Sequence, residues 1–202
     1  MRTPNIAKEE AIRSIALQII AAEGLENLTI QKLAAAANIS PRTIYIKYKD
    51  KDDLLIKLFI EEVLGNYEKA VLTGFNASMP FAEGIQQIWR NTFRYFKNNR
   101  PAFVLMQYGK YSPLLNKAFL EHNITKGRFF APVHHFLERH AAAGHIAKLP
   151  FEAHRALLFA PVLDLVHEYY EHRGRAKQVI TEKVILECCE AVTRGMQQYS
   201  KP

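Results

Sequence analysis

The sequence predicts an all-α protein, with a small N-terminal three-helix unit followed by a larger helical body. Three observations lead there. The 202 residues hold only nine glycines and nine prolines, which leaves long stretches free of breakers. Within those stretches apolar residues recur at helical spacing, at i, i+3, i+4 and i+7. Alternating runs of Val and Thr, the mark of strands, are missing. Hydrophobic residues make up 49% and aromatics 11% of the chain, enough for a packed core and far from a disordered composition.

The first helix opens at Thr3-Pro4, a cap followed by proline at the first helical position. Ile12, Ile15, Ala16, Ile19 and Ile20 then form one apolar stripe that ends at Gly24. Thr29 caps the second helix, TIQKLAAAA, whose Ile30, Leu33, Ala34 and Ala37 share a face. Its small alanines permit the close helix–helix approach that a sharp helix–turn–helix requires. Asn38 sits where the chain leaves this helix, and asparagine tolerates left-handed backbone better than most residues. Ser40-Pro41 repeats the cap-then-proline pattern, so a short third helix starts there. At about 100° per residue, Pro41, Ile44 and Tyr48 fall on its inward face. Arg42, Ile46 and Lys49 point the opposite way, flanked by Tyr45 and the Thr43/Lys47 pair. Asp50 caps a fourth helix, with Asp53 three residues on in a box-like arrangement. That helix runs through DLLIKLFIEEVLGNYEKAVL to near Gly74.

The remainder reads as longer, more apolar helices. From Pro80, Phe81, Ile85, Ile88, Trp89, Thr92, Phe93 and Phe96 hold helical spacing until Asn99-Arg100-Pro101. A short helix PAFVLMQY follows, then a turn at Gly109–Pro113. A long helix spans roughly 113–143, with Pro132 as a kink or break and Gly144 closing it. Two final helices occupy about 151–172 and 176–199. The expected division is a small unit at 1–52, with a helix–turn–helix motif at 29–48, and a larger domain of about nine helices at 53–202.

The formal net charge of +7 makes polyanionic partners plausible without choosing between nucleic acid and a membrane surface. The only two cysteines, Cys188 and Cys189, are adjacent and cannot close a useful long loop. Glu9, Glu10 and Arg13 interrupt the place where a signal peptide would carry its apolar core, and no run approaches the roughly 18 apolar residues of a spanning helix. A cytoplasmic protein without membrane association is the expectation.

The stretch NISPRTIYIKYKDKDDLL carries the functional signal. A basic, exposed helix face is most often only a solvated one. This one is short, begins at a preorganised cap and displays an isoleucine and a tyrosine that solubility alone disfavours. The major groove of B-DNA is about 12 Å wide and admits one helix. Arg42 is suited to guanine edges and Ile46 to a thymine methyl, and Lys51 stands in the first turn of the next helix, whose dipole favours an anion.

TIQKLAAAANISPRTIYIKYKDKDDLL, with the upstream IRSIALQIIAAEGLENLT, resembles the N-terminal domain of the tetracycline-repressor (TetR) family of bacterial regulators. The matching features are the AAEG ending of helix one, Thr29, Leu33-Ala34, the Ser40 cap, T-I-Y at 43–45, Tyr48 and K-D-D-L-L at 51–55. The likeness covers about residues 6–60 across three helices. It departs at Asn38 where glycine is usual, at Arg42 where a small residue is common, and at Lys47 where histidine is frequent. By this resemblance Thr29, Thr43, Tyr45, Lys47 and Lys51 hold backbone phosphates. Arg42 and Ile46 are the base-reading candidates, and Ser40 and Lys49 complete the DNA-binding surface. The resemblance also implies a homodimer on a palindromic operator of double-stranded DNA, joined through the last two helices. Leu158, Leu165, Val184, Cys188 and Val192 are candidates for that interface or, equally, for burial within one chain. A repressor released by a small-molecule effector is the expected function.

For the effector, Trp89, Phe93, Phe96, Met106, Tyr108, Phe129, Phe130 and Phe159 supply an aromatic-rich lining, with His134 and His167 as polar handles. An apolar or aromatic effector would suit them, although such a stripe is more often core than pocket. All eight histidines lie between His122 and His172. His134-His135, and Asp164, His167, Glu168, Glu171 and His172, are metal-ligand types, but no spacing imposes a coordination geometry. No metal or cofactor is therefore expected. A metal- or redox-responsive regulator of the same fold is the alternative, and a helical enzyme a distant one. Asp164, His167 and Glu168 have no nucleophile elbow, phosphate-binding glycine loop or zinc spacing to organise them.

Overall fold

The computed structural model describes residues 4–121, 129–174 and 177–198. Every regular element among them is helical: α1 (Pro4–Glu23), α2 (Ile30–Ala36), α3 (Pro41–Tyr45) and α4 (Lys51–Leu58) come first. A π-helical segment, Phe59–Gly65, joins α4 to α5 (Asn66–Val71). Then come α6 (Phe81–Asn98), α7 (Arg100–Tyr111), α8 (Pro113–Glu121), α9 (Ala131–Ala142), α10 (Phe151–Leu158), α11 (Ala160–Glu171) and α12 (Glu182–Gln198). The chain divides into two compact units, one of residues 1–66 and 99–125, the other of 67–98 and 126–202.

In the first unit α1 buries Ile12, Ala16, Ile19 and Ile20 of the stripe its spacing predicts, with Ile15 half-buried. Gly24, at φ +89°, ends it in the left-handed region where a side chain would be strained. Leu28, Ile30, Leu33, Ala34 and Ile44 close the core beneath α2 and α3. Pro41 is exposed, not inward-facing as its position on the helix wheel suggests. It stands in the first turn, beyond the edge of the core that Ile44 fills one turn later.

The turn expected over Gly109–Pro113 is confined to Ser112, between α7 and α8. Helix α7 runs through Gly109 to Tyr111, because Gly109 is where the Phe59 ring packs. A Cβ on Gly109 would lie 2.1 Å from that ring. The glycine therefore serves close packing instead of chain reversal.

The second unit is built on α6, which packs on α11 and α12 and whose Ile85, Ile88, Trp89, Phe93 and Phe96 are all buried. Tyr67, also buried, shares a 3.0 Å hydrogen bond with the Thr92 hydroxyl, and burial pushes its phenol up to about 12. The long helix expected over 113–143 is two helices. α9 begins only after Phe130, which takes φ +61°, and Pro132 lies in its first turn. Residues 122–128 lie outside the described residues, and His122 among them. The helix expected over 151–172 is interrupted at Phe159. Pro161 has no N–H, and its ring excludes a helical carbonyl at position 157. At this break the Trp89 indole Nε1–H donates to the Leu158 carbonyl at 2.7 Å. The last helix starts at Glu182 rather than near 176, with the Thr181 hydroxyl 3.4 Å from the Val184 amide.

Candidate DNA-binding surface

Three caps set the geometry of the helix–turn–helix. Thr29 Oγ1 accepts from the Lys32 amide at 3.1 Å and starts α2. Ser40 Oγ accepts from the Thr43 amide at 3.3 Å and shares a 3.0 Å hydrogen bond with the Thr43 hydroxyl, starting α3. Asp50 Oδ1 accepts from the Asp53 amide at 2.8 Å, and Asp53 Oδ2 accepts in return from the Lys49 amide at 2.9 Å. Each cap satisfies amides that a helix of this length leaves without a partner. Between α2 and α3, Asn38 turns the chain at φ +51°, as its tolerance for that region predicts.

α3 is then held from one side. Ile44 is fully buried and Tyr48 is 2% exposed, while Tyr45 is 50% and Ile46 74% exposed. Arg42 and Lys49 are exposed, and Thr43 and Lys47 are partly covered at the flanks. The helical path continues past Tyr45, since the Ile46 amide donates to Arg42 O and the Lys47 and Tyr48 amides donate to Ile44 O. Two large apolar side chains thus project into solvent from a short helix flanked by cations. Burial, with Glu9 nearby as the second cause, pushes the Tyr48 phenol up to about 12, so it stays neutral beneath that surface.

The cations are not all loose. Lys51 Nζ donates to the Leu25 carbonyl at 2.9 Å, tying the start of α4 to the segment after α1. Lys47 Nζ lies 3.3 Å from Glu9 Oε2. Lys57 Nζ donates to the Lys47 carbonyl at 3.2 Å and to Asp53 at 2.9 Å, and sits 5.4 Å from the centre of the Tyr48 ring. Arg13 meets three carboxylates: Glu9 and Glu61 at 3.2 Å each, and Glu62 at 2.9 Å, the last out of line for a hydrogen bond.

The other candidate residues are scattered. In the second unit Trp89, Phe93 and Phe96 are core, Phe130 and Phe159 are half-buried, and His167 is exposed. His134 stacks on Phe151 with ring centres 3.6 Å apart, and burial lowers its pKa. Met106 and Tyr108 are half-buried on α7 in the first unit. Leu158 is fully buried within its own unit, which removes it from any surface. Leu165, Cys188 and Val192 line an open groove of about 370 Å³ together with Trp89, Pro161 and Glu168, and Val184 is half-buried on α12. Cys189 is buried, and burial pushes its thiol up to about 12. Among the described residues no three His, Cys, Asp or Glu side chains converge as a metal site would require. No helix among them is long and apolar enough to cross a membrane.

Residues 12–58 match the model of bacterial regulatory proteins of the tetR family, and residues 80–193 match the tetracyclin repressor-like C-terminal domain. The chain belongs to the TetR family. It is a DNA-binding transcriptional regulator and not an enzyme. An uncharacterised helix–turn–helix transcriptional regulator from Haemophilus influenzae is 33% identical over 129 residues, 64% of this chain and 67% of that protein. Among solved structures, a TetR family regulator from Marinobacter aquaeolei superposes with a TM-score of 0.81 at 23% identity, covering 96% of this chain and 97% of that one. A TetR family protein from Vibrio parahaemolyticus gives 0.70 at 26% identity, covering 93% and 97%.

Within this TetR chain, sequence reasoning passed over Glu9, Arg13 and Lys57. A signal for the first two exists, since Glu9 and Arg13 stand at i, i+4 on α1 and one helix face brings them together. Nothing in the spacing points from α1 to Lys47. That pairing depends on how the helices cross.

Proposed function

We propose that this TetR protein is a homodimeric repressor that reads a palindromic operator with α3 and is released by a small apolar or aromatic effector. The observation that carries the reading is the exposure of Tyr45 and Ile46 over a buried Ile44 and Tyr48, an apolar projection with cations on either side. Residues 1–52 supply the reading surface, and 53–202 the effector-binding and dimerising part. Arg42 and Ile46 contact base edges. Thr29, Thr43, Tyr45, Lys47 and Lys51 hold phosphates, with Lys49 completing the surface and Ser40 fixing the helix that presents it. An ammonium has three donors, so Lys51 keeps two for a phosphate while the third holds Leu25.

For the dimer, the support is the run of half-buried apolar side chains on α11 and α12, Leu165, Val184, Cys188 and Val192, beside the open groove. Two copies joined there would set their α3 helices about 34–36 Å apart, one turn of B-DNA. Effector binding lowers DNA affinity by favouring a conformation with another spacing. The half-buried aromatic side chains of the second unit, Phe130 and Phe159, favour an apolar ligand.

Selection of bound duplexes from random-sequence DNA tests this reading. The expected product is a palindrome with half-sites one turn apart, bound with a steep salt dependence. Recovery of a single unrepeated half-site, or of no sequence at all, would overturn it. On the selected duplex Arg42→Ala relaxes base preference by about 1–3 kcal/mol at one position. Lys51→Ala weakens all sequences alike and reduces the salt slope by about one.

A further inference from the structure

We propose that Glu9 competes with DNA phosphate for Lys47, so that α1 limits the sequence-independent affinity of the reading surface. This rests on the reading of Lys47 as a phosphate contact. Lys47 lies at the end of the turn that follows α3, and its ammonium is 3.3 Å from Glu9 Oε2. Glu9 is not there to satisfy Arg13 alone, because Arg13 also has Glu61 and Glu62 within 3.2 Å. One guanidinium among three carboxylates leaves a local excess of negative charge, and Lys47 is the cation drawn to it. Both partners remain about one-third exposed on their side chains, so the pair is accessible to solvent and to an approaching polyanion. A partly exposed pair of this kind is weak and can exchange for a phosphate.

The Lys47 backbone does not need Glu9 to stay in place. Its carbonyl accepts from Lys57 Nζ and its amide donates to Ile44 O. The carboxylate therefore acts on the ammonium and not on the path of the chain. Phosphate contacts carry no base information, so releasing the ammonium raises affinity for every duplex alike. It lowers the ratio of operator to non-operator binding only to the extent that other contacts saturate. The carboxylate thus occupies, in the free protein, the position of a backbone phosphate.

The test uses the full chain and a duplex of random sequence of about 30 base pairs, with binding followed by anisotropy at about 50 and 200 mM salt. Glu9→Gln is expected to tighten binding by about two- to fivefold at the lower salt, and the gain should shrink at the higher, where the internal pair is already screened. Lys47→Met should weaken binding, and Glu9→Gln added to it should then change nothing. Glu9→Asp, which keeps the charge but withdraws it by a methylene, should move in the same direction by less and serves if the glutamine variant folds poorly. An equal gain from Glu9→Gln in the Lys47→Met background would mean a long-range charge effect and would overturn the proposal. So would unchanged or weaker binding of Glu9→Gln while Lys47→Met still loses affinity. If Lys47→Met itself changes nothing, the phosphate role of Lys47 is what fails, a result separable from the other two.

Discussion

In the second unit Trp89, Phe93 and Phe96 line one helix and are almost wholly buried, whereas in the first Tyr45 and Ile46 stand half and three-quarters exposed on a short one. The two regions use large apolar side chains for opposite ends. The core of the second unit packs ring on ring, Tyr67 of α5 tilted against Phe96 with centres 4.6 Å apart and Phe93 edge-on to Tyr169 at 5.5 Å. The first has an apolar core beneath α1, α2 and α3 as well, but its short helices add polar ends: three side-chain caps, an ammonium on a loop carbonyl, and one arginine among three glutamates. Short helices have little area to bury, and most of their amides lie in terminal turns, so caps do there what packing does for α6. Tyr45 and Ile46 are neighbours exposed on one edge with cations on either side, and that grouping speaks for a partner.

Trp89→Ala attacks the packed region and is expected to cost about 3–5 kcal/mol in denaturant unfolding, from lost ring contacts and an orphaned Leu158 carbonyl. A loss under about 1 kcal/mol would mean that the α6 aromatics are a loose lining and not a core. The second expectation concerns alkaline pH. The Tyr67 phenol is raised to about 12 in the folded chain and ionises near 10 once unfolded. Between those values the folded state holds the extra proton, so stability is fully present below pH 10 and falls as pH rises towards 12. The fall is on the order of 2–3 kcal/mol from this group. Tyr67→Phe should flatten that part of the profile, and an unchanged slope would assign the alkaline loss to Tyr48 or Cys189. The smallest effect on stability belongs to the surface. Tyr45→Ala should leave unfolding within about 0.5 kcal/mol of the parent while weakening DNA binding. If it destabilises the fold as Trp89→Ala does, the contrast between the two regions is wrong.

The helix–turn–helix was legible residue by residue because its signals are local. A cap acts three residues ahead, Asn38 acts on its own backbone, and a helix wheel of two turns separates Ile44 and Tyr48 from Ile46. Pro41 was the exception, since inward or outward at the first turn depends on where the core ends. In the body the same wheel correctly marks Trp89, Phe93 and Phe96 as one face. It cannot tell whether that face meets a ligand or another helix. Breakers there were misjudged in both directions. Pro161 interrupts a helix expected to run through it, while Gly109, expected to start a turn, lies inside a helix because the Phe59 ring occupies the space of its missing side chain.

By itself, then, the order of residues determined the all-helical class, the caps, the turn and the outward edge of α3. Each of these is governed by backbone preferences and periodicity over a few residues. Tertiary structure alone decided that Leu158 is interior, that Gly109 is a contact, and that Glu9, 38 positions before Lys47, reaches its ammonium. Those outcomes depend on how helices cross, which is set by the packing of whole surfaces and leaves no short-range trace in the sequence.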